Sequence, residues 1–146
     1  MADYTPVAMP GTAYTFQASG VIAGGDLVGM TGALTVAKVS SLASLAYVGV
    51  AGTDAGIGSK VTVFMDKAVH DSVADGSITA GDQLTTTNTA SRSVKTLAVT
   101  AIDAGATYVQ AAVNAAINAG VNAARGVIGT AVTTVTDNQT VRWVQK

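Results

Sequence analysis

The chain has 146 residues, with nine Asp, no Glu, eight Lys and Arg, one His and no Cys, for a net charge of −1. Only 12% of residues are charged, against about 25% in an average soluble protein, and Ala, Val and Thr make up nearly half of the chain. These values exclude a disulfide framework, a Cys-based zinc or redox site, H-E-x-x-H hydrolases and multi-His metal centres, and they disfavour electrostatic nucleic-acid binding and intrinsic disorder.

No apolar run approaches the roughly 20 residues that span a bilayer, so no membrane partner is expected. The stretch Met1–Pro6 lacks the basic and apolar regions of a signal peptide. Sparse charge near neutrality favours association. Composition leaves two readings open: a chain that works inside an assembly, or a monomeric β domain rich in Thr and Ala.

Residues 1–18 read as an extended N-terminal arm. Pro6 and Pro10 bias Thr5 and Met9 away from helical backbone. Tyr4, Val7, Met9, Tyr14 and Phe16 are apolar groups without helical period. Residues 19–146 read as one β domain. Glycines punctuate short apolar runs at Leu27–Met30, Ala33–Val39 and Tyr47–Ala51. Val61, Val63 and Met65 alternate with Thr62 and Phe64, the period of a strand. Such spacing predicts a mainly β fold, a small sandwich or barrel.

The domain carries a two-copy repeat. Val21–Val28 matches Ile78–Thr85, and Gly49–Asp54 matches Gly126–Ala131, at spacings of 57 and 77 residues. Each second element leads through a turn to an alternating strand, Val61–Phe64 or Val141–Val144. The extra 20 residues of the second half are assigned to an inserted helix at about Ala106–Arg125. Val109, Val113, Ile117 and Val121 form an aliphatic stripe at helical spacing, with Gln110, Asn114, Asn118 and Asn122 beside it. Asp103 is placed to cap this helix and Gly126 to end it. The helix has no charged face. One reading sets Val109, Val113, Asn114, Ile117, Asn118, Val121 and Asn122 at an oligomer interface; the other packs one face on the β domain and leaves the amides in water.

No catalytic constellation emerges. His70, Asp71 and Ser72 are consecutive and point in different directions, so they form no relay; His70 reads as an ordinary polar residue near a strand end. Gly52–Lys60 lacks both the Gly-Lys order and the following helix of a phosphate loop. Asp66, Asp71, Asp75 and Asp82 fit no calcium loop. The chain is expected to be no enzyme and to bind no cofactor or metal.

Four stretches, Ser19–Val28, Val48–Val63, Ala74–Leu84 and Gly126–Ala131, resemble the tailed-phage head decoration proteins, also called capsid cement proteins. The resemblance covers most of residues 19–146 and rests on glycine-turn patterns. It implies a "tulip"-like β domain that forms homotrimers on the outer surface of an icosahedral capsid and clamps neighbouring capsomers. The implied partners are the major capsid protein and the chain itself. The implied location is the outside of the virion, after synthesis in the host cytoplasm. It also implies that the arm crosses the capsid surface, which makes Tyr4, Pro6, Val7, Met9, Pro10, Tyr14 and Phe16 capsid-binding candidates. The inserted helix departs from the family pattern.

The rival reading is a carbohydrate- or receptor-binding β module of a head fibre or tail adhesin. It requires exposed aromatics among Tyr4, Tyr14, Phe16, Tyr47, Phe64, Tyr108 and Trp143. Trp143 lies in an alternating terminal strand, where core or interface packing is expected.

Overall fold

The computed structural model describes residues 4–7, 11–42, 44–98 and 109–146. Five strands, β1 (Thr12–Ala18), β2 (Leu27–Gly32), β3 (Thr35–Lys38), β4 (Tyr47–Ala51) and β5 (Lys60–Met65), close into a barrel in the order β1-β3-β2-β4-β5. A second closed barrel has the order β10-β6-β8-β7-β9, from β6 (Val69–Ala74), β7 (Gln83–Thr86), β8 (Ser93–Thr96), β9 (Val127–Ala131) and β10 (Thr140–Gln145). One helix, α1 (Gln110–Arg125), lies in the connection from β8 to β9. The expected mainly β architecture with a duplicated unit is present, and closure of both sheets removes free strand edges.

The two barrels are copies in topology. β1 runs parallel to β3 as β6 does to β8, and every other pairing is antiparallel in both. Pairing corrects the repeat register. Val28 faces Gly49 as Leu84 faces Gly129, and the isolated bridge Ile22–Ala55 recurs as Ile78–Val135. The copies are therefore spaced by 56 residues (Ile22 to Ile78) and by 80 (Gly49 to Gly129). Sequence matching aligned Val21 with Ile78 and Gly49 with Gly126. Apolar, Gly and Thr residues recur so often that a shifted match scores nearly as well; hydrogen bonding selects the register.

The turns show why the repeat is legible at all. Asp26 Oδ2 accepts the Ala23 N–H at 2.8 Å, and Asp82 Oδ2 accepts the Thr79 N–H at 2.9 Å. Each loop passes through a left-handed glycine, Gly25 at φ 90° and Gly81 at φ 96°. Close approach fixes another pair: a Cβ on Gly49 would overlap the Phe64 carbonyl, and one on Gly129 the Val144 carbonyl.

Alternation builds both interiors. Phe16, Ala18, Val28, Val36, Ala51, Val61 and Val63 fill the first barrel. Ala74, Leu84, Val94, Ile128, Ala131, Val141 and Trp143 fill the second, and Leu27, Val39 and Val50 from the outside of the first barrel join that cluster. Of these two clusters, the second thus crosses from barrel to barrel.

The division into an arm (1–18) and a domain (19–146) changes here. Residues 12–18 are a full barrel strand: β1 pairs with β5 from Thr12↔Met65 to Gln17↔Lys60 and with β3 at Gln17↔Thr35. Its alternation is partly masked in sequence, because the outer positions carry Ala13 and Thr15 and only Phe16 and Ala18 are buried.

Candidate interaction surfaces

The arm candidates separate into three groups. Tyr4, Pro6 and Val7 run along the chain's own surface: the Tyr4 N–H donates to the Gly52 carbonyl at 2.7 Å and the Val7 N–H to the Val69 carbonyl at 2.8 Å. Pro6 is buried, whereas Val7 is exposed. Met9 and Pro10 lie outside the described residues. Phe16 is barrel core, and Tyr14 on β1 stays half exposed with its ring edge-on to Phe16 at 5.1 Å. A buried Phe16 cannot serve as a docking group, so that assignment is replaced by a packing role.

The helix candidates are on α1 except Val109, which occupies its N-cap position without a side-chain cap bond. Asp103 and Ala106–Tyr108 lie outside the described residues. No residue of α1 is buried. Val113, Ala116, Gly120 and Ala123 are half covered, whereas Ile117 and Val121 are 52% exposed and Asn114, Asn118 and Asn122 are exposed. The aliphatic stripe is therefore split: small residues with Val113 turn toward the body, and Ile117 and Val121 share the outer side with the amides.

Sequence reasoning missed two buried polar groups. His70 is fully buried on β6, not a polar strand end. Its Nδ1 lies 3.0 Å from the Tyr4 hydroxyl and its Nε2 3.1 Å from Gln145 Oε1. The Asp71 N–H donates to the same Tyr4 oxygen at 3.3 Å. The network is complete for a neutral imidazole that receives the Tyr4 proton at Nδ1 and donates from Nε2. Burial pushes the His70 pKa below its ordinary value, against smaller upward pulls from Gln145 and Asp71. The Tyr4 hydroxyl is pushed up, chiefly by burial. Trp143 lies tilted against His70 with ring centroids 5.2 Å apart and donates its indole N–H to Ser72 Oγ at 2.9 Å. His70 and Ser72 therefore share the interior of β6, while Asp71 faces outward and takes two bonds from Arg142 at 2.9 Å. That geometry excludes a relay among the three.

The second group is Asp26, buried at the junction of the barrels. Its carboxylate accepts from Ser91 Oγ at 2.9 Å and Arg92 Nε at 3.2 Å, with Lys38 Nζ at 3.6 Å. Charged partners on both sides make burial of this carboxylate tolerable. The only forewarning in sequence was the Ala-Gly-x-Asp turn, which accounts for one oxygen and not for the cross-barrel pair.

Among the described residues no cluster of three or more His, Cys, Asp or Glu could hold a metal ion. Gly52–Ser59 is a plain connection between β4 and β5, with Asp54 Oδ1 accepting the Gly24 N–H at 2.8 Å. An open groove of about 470 Å³ is lined by Thr15, Phe16, Gln17, Ala33, Leu34, Gly58 and Lys60. It holds no acid–base pair. No described helix is long and apolar enough to cross a membrane.

No protein-family model and no curated protein matches the chain. Among solved structures it is similar to the crystal structure of head fiber gp8.5 N base in bacteriophage phi29, at 18% sequence identity and a TM-score of 0.53. The match covers 92% of this chain and 93% of that one. At this identity the likeness shows a shared fold, and its coverage spans both barrels.

Proposed function

We propose that the chain is a structural protein of a phage virion, a homotrimeric decoration protein that binds the major capsid protein on the outside of the head. The observation that carries this reading is the end-to-end likeness of the two-barrel fold to a phage head fiber base. Sparse charge and half-exposed apolar groups agree with it: Val7, Tyr14, Ile117 and Val121 are each about half exposed. Cement proteins act through area and symmetry, and three protomers on one lattice site bind multivalently. Of the arm candidates described, Val7 and Tyr14 keep side chains available for the capsid.

The same likeness favours a second reading, a carbohydrate- or receptor-binding β module of a phage head fibre or tail adhesin. The aromatic inventory bears on it. Trp143 and Phe16 are buried, and Tyr14 is the large exposed aromatic among the described residues, so sugar stacking has little to work with in this chain.

Two measurements test the proposal. Native mass spectrometry is expected to give a trimer, and purified protein is expected to co-sediment with expanded phage heads. A monomer that leaves heads bare overturns it. Clear hits on a glycan array move the assignment to the receptor-binding reading. An arm truncation must stop before Thr12, because removing residues 1–16 would take most of β1 out of the first barrel.

A further inference from the structure

The duplication gives each barrel surface an internal reference. Within the chain, the β7–β8 turn seats on the outer face of β2 and β4. The Leu27 N–H donates to the Ser91 carbonyl at 2.7 Å, and Arg92 and Ser91 reach Asp26. The β3–β4 connection grips the same hairpin, with Thr86 Oγ1 between the Ser44 N–H and the Ser41 carbonyl, each at 2.9 Å. This contact is head-to-tail: a hairpin turn of one barrel meets the strand face of the other.

Each chain therefore keeps one unused counterpart of each surface, although the turn after β2 is shorter than the one after β7 and corresponds to it only in the residues that lead into β3 and β8. The unused turn is that of β2–β3. Leu34 stands where Arg92 does, since their carbonyls accept the equivalent N–H groups of Gln17 and Val73; Ala33 thus stands for Ser91. The unused face is the outside of β7 and β9. There Gln83 stands for Leu27, Leu97 for Val39 (Leu97 N–H to Gln83 carbonyl, as Val39 N–H to Leu27 carbonyl), and Val132 for Gly52. Leu34 is 58% and Val132 52% exposed. Leu34 also holds a left-handed backbone at φ 55°, a strained setting for a bulky side chain.

We infer that the β2–β3 turn of one copy docks on the β7/β9 face of the next copy, repeating between chains the contact that joins the barrels within one. The substitutions fit as a set. Arg92 faces an Asp26 that needs a cation, whereas the equivalent Asp82 already accepts from Thr79 and Thr96 Oγ1, and Val132 adds apolar surface where Gly52 has none. The uncharged Leu34 suits a face whose Asp82 is already satisfied. The β8–β9 connection, which holds α1, is the counterpart of the β3–β4 connection that grips Thr86. That places α1 beside the docking face, with Ile117 and Val121 available to the incoming turn. A head-to-tail contact closes a ring or runs on as a filament. Closure at three copies, and so at six barrels, rests on the trimer proposed above; the contact itself rests on the duplication.

The absence of Cys makes disulfide trapping clean. The Ser91–Leu27 pair is joined by a backbone hydrogen bond, a spacing within disulfide reach. Oxidised Ala33→Cys/Gln83→Cys protein is expected to run as covalent oligomers ending at trimer, and each single variant as uncross-linked chain, because a head-to-tail contact never sets a residue against its own copy. Leu34→Asp, which suits a left-handed exposed turn, is expected to weaken self-association at least tenfold with an unchanged circular dichroism spectrum. A native trimer with no cross-link and no response to Leu34→Asp overturns the contact and leaves the trimer standing. Cross-linked chains that continue past trimer keep the contact and overturn the trimer. A wild-type chain that is monomeric at every concentration overturns both.

Discussion

The fold holds His70 away from water in its neutral form. Its folded pKa lies below the unfolded value, so the native state binds fewer protons than the unfolded chain as pH falls through about 6.5. Its contribution is fully present above that pH and is lost on acidification, because a charged ring must donate at Nδ1 where it now receives from Tyr4. The thermal midpoint is expected to fall between pH 7.5 and 5.5 more steeply for the native chain than for His70→Gln, which keeps a polar group without the titration. Equal slopes in a scanning calorimeter would refute this. Asp26 acts through its contacts instead. Asp26→Ala removes the acceptor of the Ser91 hydroxyl and of Arg92 Nε at the barrel junction and frees the Ala23 N–H. With both cations about 40% exposed, the expected loss is about 2–3 kcal/mol, read from urea unfolding. A change below about 0.5 kcal/mol would show that water replaces the carboxylate there.

At the scale of elements, what sequence revealed depended on how much of each signal is local. Strands with β-branched inner positions, such as β5, and the Asp-capped glycine turns were legible, because alternation and turn chemistry lie within a few residues. β1 was not, since its outer positions are small and prolines precede it. β8, with Ser93 and Lys95 flanking Val94, shows too little apolar pattern to stand out and is fixed by its parallel pairing with β6. The helix was legible by period, but its environment was not: periodicity gives the stripes and leaves open which one touches the body. Here none is buried, so α1 contributes little to the barrel that carries it. Replacing the β8–β9 connection, helix included, with a turn as short as the β3–β4 connection is expected to move the midpoint of the monomeric fold by less than about 1 kcal/mol, the scale of surface changes. Trp143→Ala, by contrast, empties a fully buried site and is expected to cost about 3–5 kcal/mol. Chemical denaturation of both variants side by side checks the contrast, and a helix deletion as costly as the Trp143 change would mean that α1 is part of the core.

At the scale of the molecule, two small barrels could each fold alone or fold as one. A five-stranded barrel of this size buries little core by itself, and the packing points to joint folding. Leu27, Val39 and Val50 belong to the first barrel by strand and to the second by contact. Tyr4 joins them from the chain's beginning, lying between Phe64 of one barrel and His70 of the other. None of this could be read in one dimension, because Leu27 and Val28 look alike in sequence while the first faces out to the partner barrel and the second faces in. Removing the outward side chain should then weaken both halves together. Leu27→Ala is expected to cost about 2–5 kcal/mol and to keep a single calorimetric transition whose measured and van't Hoff enthalpies agree. Amide exchange should speed up on β5 and β10 alike. Two resolved transitions, or acceleration confined to β2 and its neighbours, would mean that the barrels are independent units and that the shared cluster only glues them. Shared folding also matters for the contact proposed between copies. Inside one chain the tether between the barrels adds to the joint, so the proposed contact between copies is expected to be weaker and to depend on protein concentration.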